Sequence, residues 1–304
     1  MGARVPICAF RGAASFPLLI ALEDAHFARH GLDVELLFTG SSDELVDGLL
    51  RGVYAVVQAA PDNFVAWRAR TGRPIVAWYG ASSGPISLVI RPELDGIDGL
   101  RGASIAVDFP DAGWAPILVG VLARHGVARD EISQVATGAT AKVFAALVEG
   151  RTPAAMLNEP WATRATTQGC RIVTDHRTVA PRLQTSAGAS LATWLAEDPH
   201  RAESVLRAIV AATTWILDPA NRDQATRRLA THLDSEPGDV ALVLDRMTTP
   251  GLGWPPSAYP DVEGFRAVCD LRAGVGDPPT EAPEAHVTYD VYRRVFGFPT
   301  KVRP

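Results

Sequence analysis

Val5-Pro6-Ile7-Cys8-Ala9-Phe10, then Pro17-Leu18-Leu19-Ile20-Ala21-Leu22, then Leu32-Asp33-Val34-Glu35-Leu36-Leu37-Phe38: these three runs decide the fold. The first reads as an apolar strand. The second opens a helix, because apolar side chains recur at Leu18, Ala21, Leu22 and Ala25, the spacing that gives a helix one buried stripe. That helix is predicted to continue to His30-Gly31, where the glycine supplies a left-handed stop that a side chain would penalise. The third run resumes the strand pattern. The same order returns later, with a strand over 104–109, a helix over 114–126 and a strand around 132–135. Each half therefore reads as a small α/β lobe.

Between these landmarks the pattern stays α/β. Ser41 or Ser42 caps a helix with Leu45, Val46, Leu49 and Leu50 inward, and Gly52 releases the chain into a strand over 54–57. Pro61-Asp62-Asn63 starts the next helix, and 75–79 is a strand. The second lobe is predicted to begin near Pro85, with strands over 86–90, 154–157 and 171–174 and a helix over 142–149. Glu159-Pro160-Trp161 reads as a loop entering a helix, with proline tolerated at the first helical position because that amide has no internal partner. The run 185–190 returns the chain to the first lobe. Helices are predicted over 199–217, 222–233, 237–247, 262–271 and 289–296. The segment 251–256 is expected to be ordered but irregular because of its adjacent prolines, and 276–283 to be a linker or wrapping loop.

A chain of 304 residues favours about two domains. The discontinuous division expected here is 1–82 plus 187–304 for one lobe with a helical tail, and 83–186 for the other. A formal net charge of −5 argues against a broad polyanion-binding face, so nucleic acid is not an expected partner. Cys8, Cys170 and Cys269 lie far apart and form neither a CxxC pair nor a zinc-ligand cluster; they read as buried thiols, with a disulfide between two of them left open. Arg4-Val5-Pro6 passes directly into a core strand without a leader pattern, so the chain is read as cytoplasmic or as a mature extracytoplasmic form. No uninterrupted apolar run reaches transmembrane length, and monomer and homodimer are both compatible with the composition.

The order of motifs resembles the SsuA/THI5-like (NMT1-like) substrate-binding proteins of ABC importers. The resemblance runs from about residue 5 to 190. It is carried by Pro17-Leu18…Ala21…Phe27…Gly31-Leu32-Asp33-Val34-Glu35, by Asp43-Glu44-Leu45-Val46-Asp47-Gly48-Leu49-Leu50-Arg51-Gly52, and by Leu100-Arg101-Gly102-Ala103-Ser104-Ile105-Ala106-Val107. Ala145-Ala146-Leu147-Val148-Glu149-Gly150 ahead of Asn158-Glu159-Pro160 adds to it. Tyr54 and Pro153 stand where members commonly place aspartate, and His26 replaces a glycine usual before Phe27. The resemblance implies a type-two periplasmic-binding-protein fold: two α/β lobes, two crossings near 81–85 and 181–188, and a ligand cleft between the lobes. It also implies an ABC permease as a partner.

Such a cleft uses loops at the carboxyl ends of strands, where amides and helix starts meet a polar ligand. Arg11 is a candidate for pairing with a ligand carboxylate or sulfonate, the alternative being a surface or interlobe salt bridge. Ser41, Asn63, Ser83, Asn158 and Ser186 are candidate hydrogen-bonding residues, set against turn formation and capping. Phe10, Trp114 and Trp161 are candidate walls for a flat molecule, set against core packing. Together they point to a small organic acid or an aromatic or heterocyclic ligand. His26 and His30 lie four apart, yet with no converging ligands they make no metal site.

Asp62, Asp108, Asp111, Glu159 and His176 are the available acids and bases if the cleft is catalytic, as in a cytoplasmic decarboxylase, dehydratase or lyase. No dinucleotide loop, phosphate-gripping loop or nucleophile elbow is present, and no cofactor is required. A ligand-responsive regulatory protein is the third reading of the same body.

Overall fold

The structure is a computed structural model, and it describes residues 3–110 and 113–297. Its strands are β1 (Ala3–Phe10), β2 (Leu32–Thr39), β3 (Val56–Ala59), β4 (Ile75–Ser82), β5 (Ser87–Ile90), β6 (Ser104–Val107), β7 (Ser133–Ala136), β8 (Ala154–Leu157), β9 (Arg171–Asp175) and β10 (Ser186–Leu191). They form two five-stranded sheets, ordered β2-β1-β3-β10-β4 and β7-β6-β8-β5-β9. The architecture is α/β with two sheet-containing lobes. In each sheet three strands pair in parallel, β1 with β2 and β3, β6 with β7 and β8. One strand in each runs against its neighbours: β10 between β3 and β4, and β5 between β8 and β9.

Parallel strands covered on both faces read as nearly continuous apolar runs, which is why 5–10 carries little alternation. Val5, Ile7 and Ala9 pack under helices Phe16–Glu23 and Pro199–Leu217, while Cys8 faces the opposite core with Val57 and Leu45. Cys8, Cys170 and Cys269 are all buried free thiols, so the disulfide left open by the sequence does not form.

The helix expected to run unbroken to His30 is in fact two, Phe16–Glu23 and His26–Arg29, separated by Ala25 at φ 56°. The reason is tertiary. Arg228, from helix Arg222–Leu233, grips Glu23 at 2.5 Å and Asp24 at 2.9 Å and holds the chain at that corner. Elsewhere an unexpected short helix follows β10, Ala192–Glu197, and element ends shift: β4 runs three residues past its predicted end, and β3 starts two residues later than expected. The extension of β4 has a visible cause, since β10 pairs with it at Gly80 and Ser82 and Gly80 N donates to Ala258 O at 2.9 Å. Residues 251–256 form turns, as the prolines implied, pinned where the Trp254 indole donates to Ala13 O at 3.0 Å.

Two crossings join the sheets and are hydrogen-bonded to each other. Thr185 N donates to Ser82 O at 2.8 Å and Thr185 Oγ1 to Gly84 O at 3.0 Å. The small residues of β10 let its neighbours close in: a Cβ on Gly188 would lie 1.8 Å from the Tyr79 ring. That ring is fully buried, and its hydroxyl donates to Gln58 at 3.2 Å, so it has nowhere to move. Gly188→Ala is therefore expected to lower stability by about 1–3 kcal/mol in urea unfolding, the cost of overpacking a core; an unchanged midpoint would show that β10 and β4 can separate freely.

Candidate functional site

The carboxyl ends of β1, β2 and β6 to β8 face one another across a cavity of about 520 Å³. From the first sheet come Phe10-Arg11-Gly12, Phe38-Thr39-Gly40 and Asn63; from the second, Asp108-Phe109, Trp114, Asn158 and Trp161. Five helices present their first residues or caps here: Ser42–Leu50, Pro61–Thr71, Ala115–Arg124, Thr140–Val148 and Trp161–Thr167. Their free amides and dipoles favour negative charge at this spot.

Two guanidinium groups add to that field. Arg11 lies 4.4 Å over the Phe38 ring and donates to His232 O at 3.2 Å. Arg164 lies 4.9 Å over the Trp161 ring and donates to Leu233 O, Asp234 O and Ser235 Oγ. Neither has a carboxylate partner among the described residues, so the salt bridge weighed for Arg11 does not form. Stacking on a ring fixes each planar group while leaving its charge uncompensated.

The acids divide sharply. Asp62 is 5 % exposed and fully engaged: Oδ1 accepts from Arg272 at 2.9 Å and Oδ2 from Gly113 N at 2.7 Å. Burial still pushes its carboxyl upward, against the pull of Arg272. Glu159, 4 % exposed, is tied to Arg246 at 2.5 Å and accepts from Thr163 N. Asp108 alone of the proposed acids among the described residues lines the main cavity. Burial pushes its carboxyl up to about 7; the amides of Phe109 and Trp114 pull it down, and Asp62 adds to the rise. Asp111 lies outside the described residues.

His176 is not a cleft base. It is 1 % exposed at the second crossing, where its Nδ1 accepts from Ile86 N at 3.1 Å, and burial holds its pKa near 4. Ser41 and Ser83 are likewise absent from the cavity lining. Ser41 caps helix Ser42–Leu50 by accepting from Glu44 N at 3.2 Å, and Ser83 N is bound to Gly253 O at 2.6 Å in the first crossing. Their neighbours Ser42 and Gly84 face the cleft and an adjoining smaller chamber instead. Ser186 and Glu159 line that chamber, which Phe10, Arg11, Trp114 and Asn158 share with the main cavity. Pro160 stands just before helix Trp161–Thr167 rather than as its first residue.

Sequence reading missed Phe38, Thr140, Arg164 and the Leu233-Asp234 corner. Arg164 was within reach, being one turn beyond Trp161 on the same helix face. Leu233-Asp234 gave no such signal, because the helical tail brings it to the rim from far along the chain. No cluster of metal-ligating side chains occurs among the described residues.

A model of the NMT1-like family matches residues 4–230. The chain belongs to the NMT1-like family. No curated protein matches it. Among solved structures, this NMT1-like chain is similar to the alkanesulfonate-binding protein SsuA from Xanthomonas axonopodis pv. citri, bound to MOPS. They share 16% identity and a TM-score of 0.78 over 94% of this chain and 98% of that one. It is also similar to the periplasmic nitrate-binding protein NrtA from Synechocystis PCC 6803, at 15% identity and TM-score 0.80 over 97% and 88% of the two chains. A ligand-binding component of an ABC-type import system from Staphylococcus aureus, with zinc bound, matches at 13% identity and TM-score 0.81 over 97% and 100%. These likenesses establish the type-two periplasmic-binding-protein fold. No helix among the described residues is long and apolar enough to cross a membrane.

Buried neutral histidines leave a pH signature. His176 and His232 are both held near pKa 4, against an ordinary 6.5. The unfolded chain takes up protons that the folded one refuses, so their contribution is complete above about pH 6.5 and is lost as pH falls toward 4. His176→Asn, whose amide oxygen can replace Nδ1 as acceptor for Ile86 N, is expected to flatten the stability profile between those pH values. Denaturation midpoints measured across that range check this, and a slope identical to that of the unaltered protein would remove His176 as a source.

Proposed function

We propose that the protein captures a small organic acid with an aromatic or heterocyclic body in the interlobe cleft and delivers it to an ABC permease. The observation that carries this reading is the pair of ring-stacked guanidiniums, without carboxylate partners among the described residues, in a cavity ringed by helix starts. A volume of about 520 Å³ lies within the usual range for organic ligands, far more than a bare inorganic anion fills. Phe10, Phe109, Trp114 and Trp161 supply rings for a flat body, each stack adding about 0.5–1.5 kcal/mol beyond burial. The named ligands of the Xanthomonas and Synechocystis relatives, an alkanesulfonate and nitrate, are anions, and this supports an acidic ligand here.

Capture couples to lobe closure. Arg164 joins the second lobe to the Leu233–Ser235 corner, and Arg246 from helix Pro237–Thr248 joins Glu159. Both contacts span the two lobes and exclude water from the cleft when made, which strengthens charge pairing inside.

A turnover reading draws on one observation, the carboxyl of Asp108 poised near neutrality in the cavity, where a proton donor for a lyase would stand. Asp62, Glu159 and His176 are already committed to structural partners. Native mass spectrometry of gently purified protein, followed by incubation of any retained molecule, separates the two. Recovery of an unchanged mass is expected; a new product would establish catalysis. In calorimetric titration with the recovered acid, Arg11→Ala and Arg164→Ala are each expected to weaken binding about 10- to 100-fold, the worth of a charge-assisted contact. Affinity unchanged in both would remove the anion from this end of the cleft.

A further inference from the structure

Asp108 is a charge of the wrong sign on the wall of a cavity otherwise arranged for an anion, and Asp234, the other acid of the lining, is exposed at the rim. The two buried acids nearby each have an arginine partner, Asp62 with Arg272 and Glu159 with Arg246, and Asp62 also accepts from the Gly113 amide. Asp108 has no cation paired with it among the described residues; its Oδ1 accepts from the Trp114 amide at 3.2 Å, and the Phe109 amide also favours its ionised form. Its place is nonetheless built. Gly113 takes φ +68°, and a Cβ there would lie 1.9 Å from Asp108 Oδ2, so glycine keeps open the space the carboxylate fills. Phe109 and Trp114 flank it on the cavity wall.

A bare carboxylate in this position repels an anionic ligand that offers it nothing, and a neutral side chain would serve a plain acid better. We propose that the ligand carries, besides its acidic group, a hydrogen-bond donor (hydroxyl, amine or ring N–H) that Asp108 accepts, so that the cleft selects hydroxylated or amino-bearing acids over their unsubstituted parents. This inference rests on the reading of the cleft as an anion site. The charge around Asp108 agrees with it. Arg11 and Arg164 line the same cavity and meet the acidic group, Asp62 on helix Pro61–Thr71 adds negative potential behind, and Arg272 on helix Val262–Gly274 is spent on Asp62. With a carboxyl near 7, the empty site holds a mixture of protonated and ionised forms, and a donor draws it to the ionised acceptor.

Isothermal titration calorimetry with benzoate, benzenesulfonate and their hydroxy- and amino-substituted isomers tests this. In the unaltered protein at least one donor-bearing isomer is expected to bind about tenfold or more tighter than its parent, the usual worth of a hydrogen bond to a charged group. In Asp108→Asn the remaining oxygen stays with the Trp114 amide. The advantage should then fall below about threefold, while the parent acid binds at least as tightly as before. A matching thermal midpoint shows the variant folded. Parents that bind as well as every substituted isomer, or a donor preference that survives Asp108→Asn, would overturn the proposal and leave the anion reading intact. No binding of any of these acids up to about 10 mM would overturn the anion reading itself, and this inference with it.

Discussion

The return of β10 into the first sheet is the constraint on which the rest of the molecule depends. It enters between β3 and β4 and runs antiparallel to both, after the chain has built an entire second sheet. Two features permit this. Ser186-Ala187-Gly188-Ala189-Ser190 is small enough for Tyr79 to lie across it, and Thr185 bonds the incoming crossing to the outgoing one. The two crossings, bonded side by side, set the strand ends of the two sheets face to face. The cleft follows from that arrangement.

Within the cleft, charge is managed by removal as much as by placement. Asp62 and Glu159 would oppose an anion, and each is taken up by an arginine from the helical tail, Arg272 or Arg246. The same tail supplies His232 and Leu233 as backbone anchors for Arg11 and Arg164. The tail therefore pairs the acids on both sides of the cavity and orients the cations that line it. Asp108 escapes this treatment, which makes it the most informative side chain in the cavity.

Much of this was legible beforehand because it is local. The β1–helix–β2 unit, the Ser41 cap, helix Arg222–Leu233 and the strand Ala154–Leu157 all follow from periodicity and stop signals within a dozen residues. Phe10, Arg11, Asn63, Asp108, Trp114, Asn158 and Trp161 were picked as strand-end residues, and they meet at one cavity. Ser41 and Ser83, chosen on the same logic, and His176, weighed as a base, lie off the lining of that cavity. A polar residue near a strand end serves a cap or a crossing as readily as a ligand, and only the direction of its side chain separates the uses. The helix break at Ala25 was illegible for a related reason, since the Arg228 that holds it lies two hundred residues away.

The sequence by itself determined two α/β lobes, their strand ends and the family to which they belong, because hydrophobic period and turn residues act over a few positions at a time. The tertiary structure alone decided which acids remain available, which arginines keep their charge unpaired and which histidines stay neutral. Those properties depend on desolvation and on partners brought together across the whole chain, and no spacing of residues encodes a neighbour that arrives from the far end.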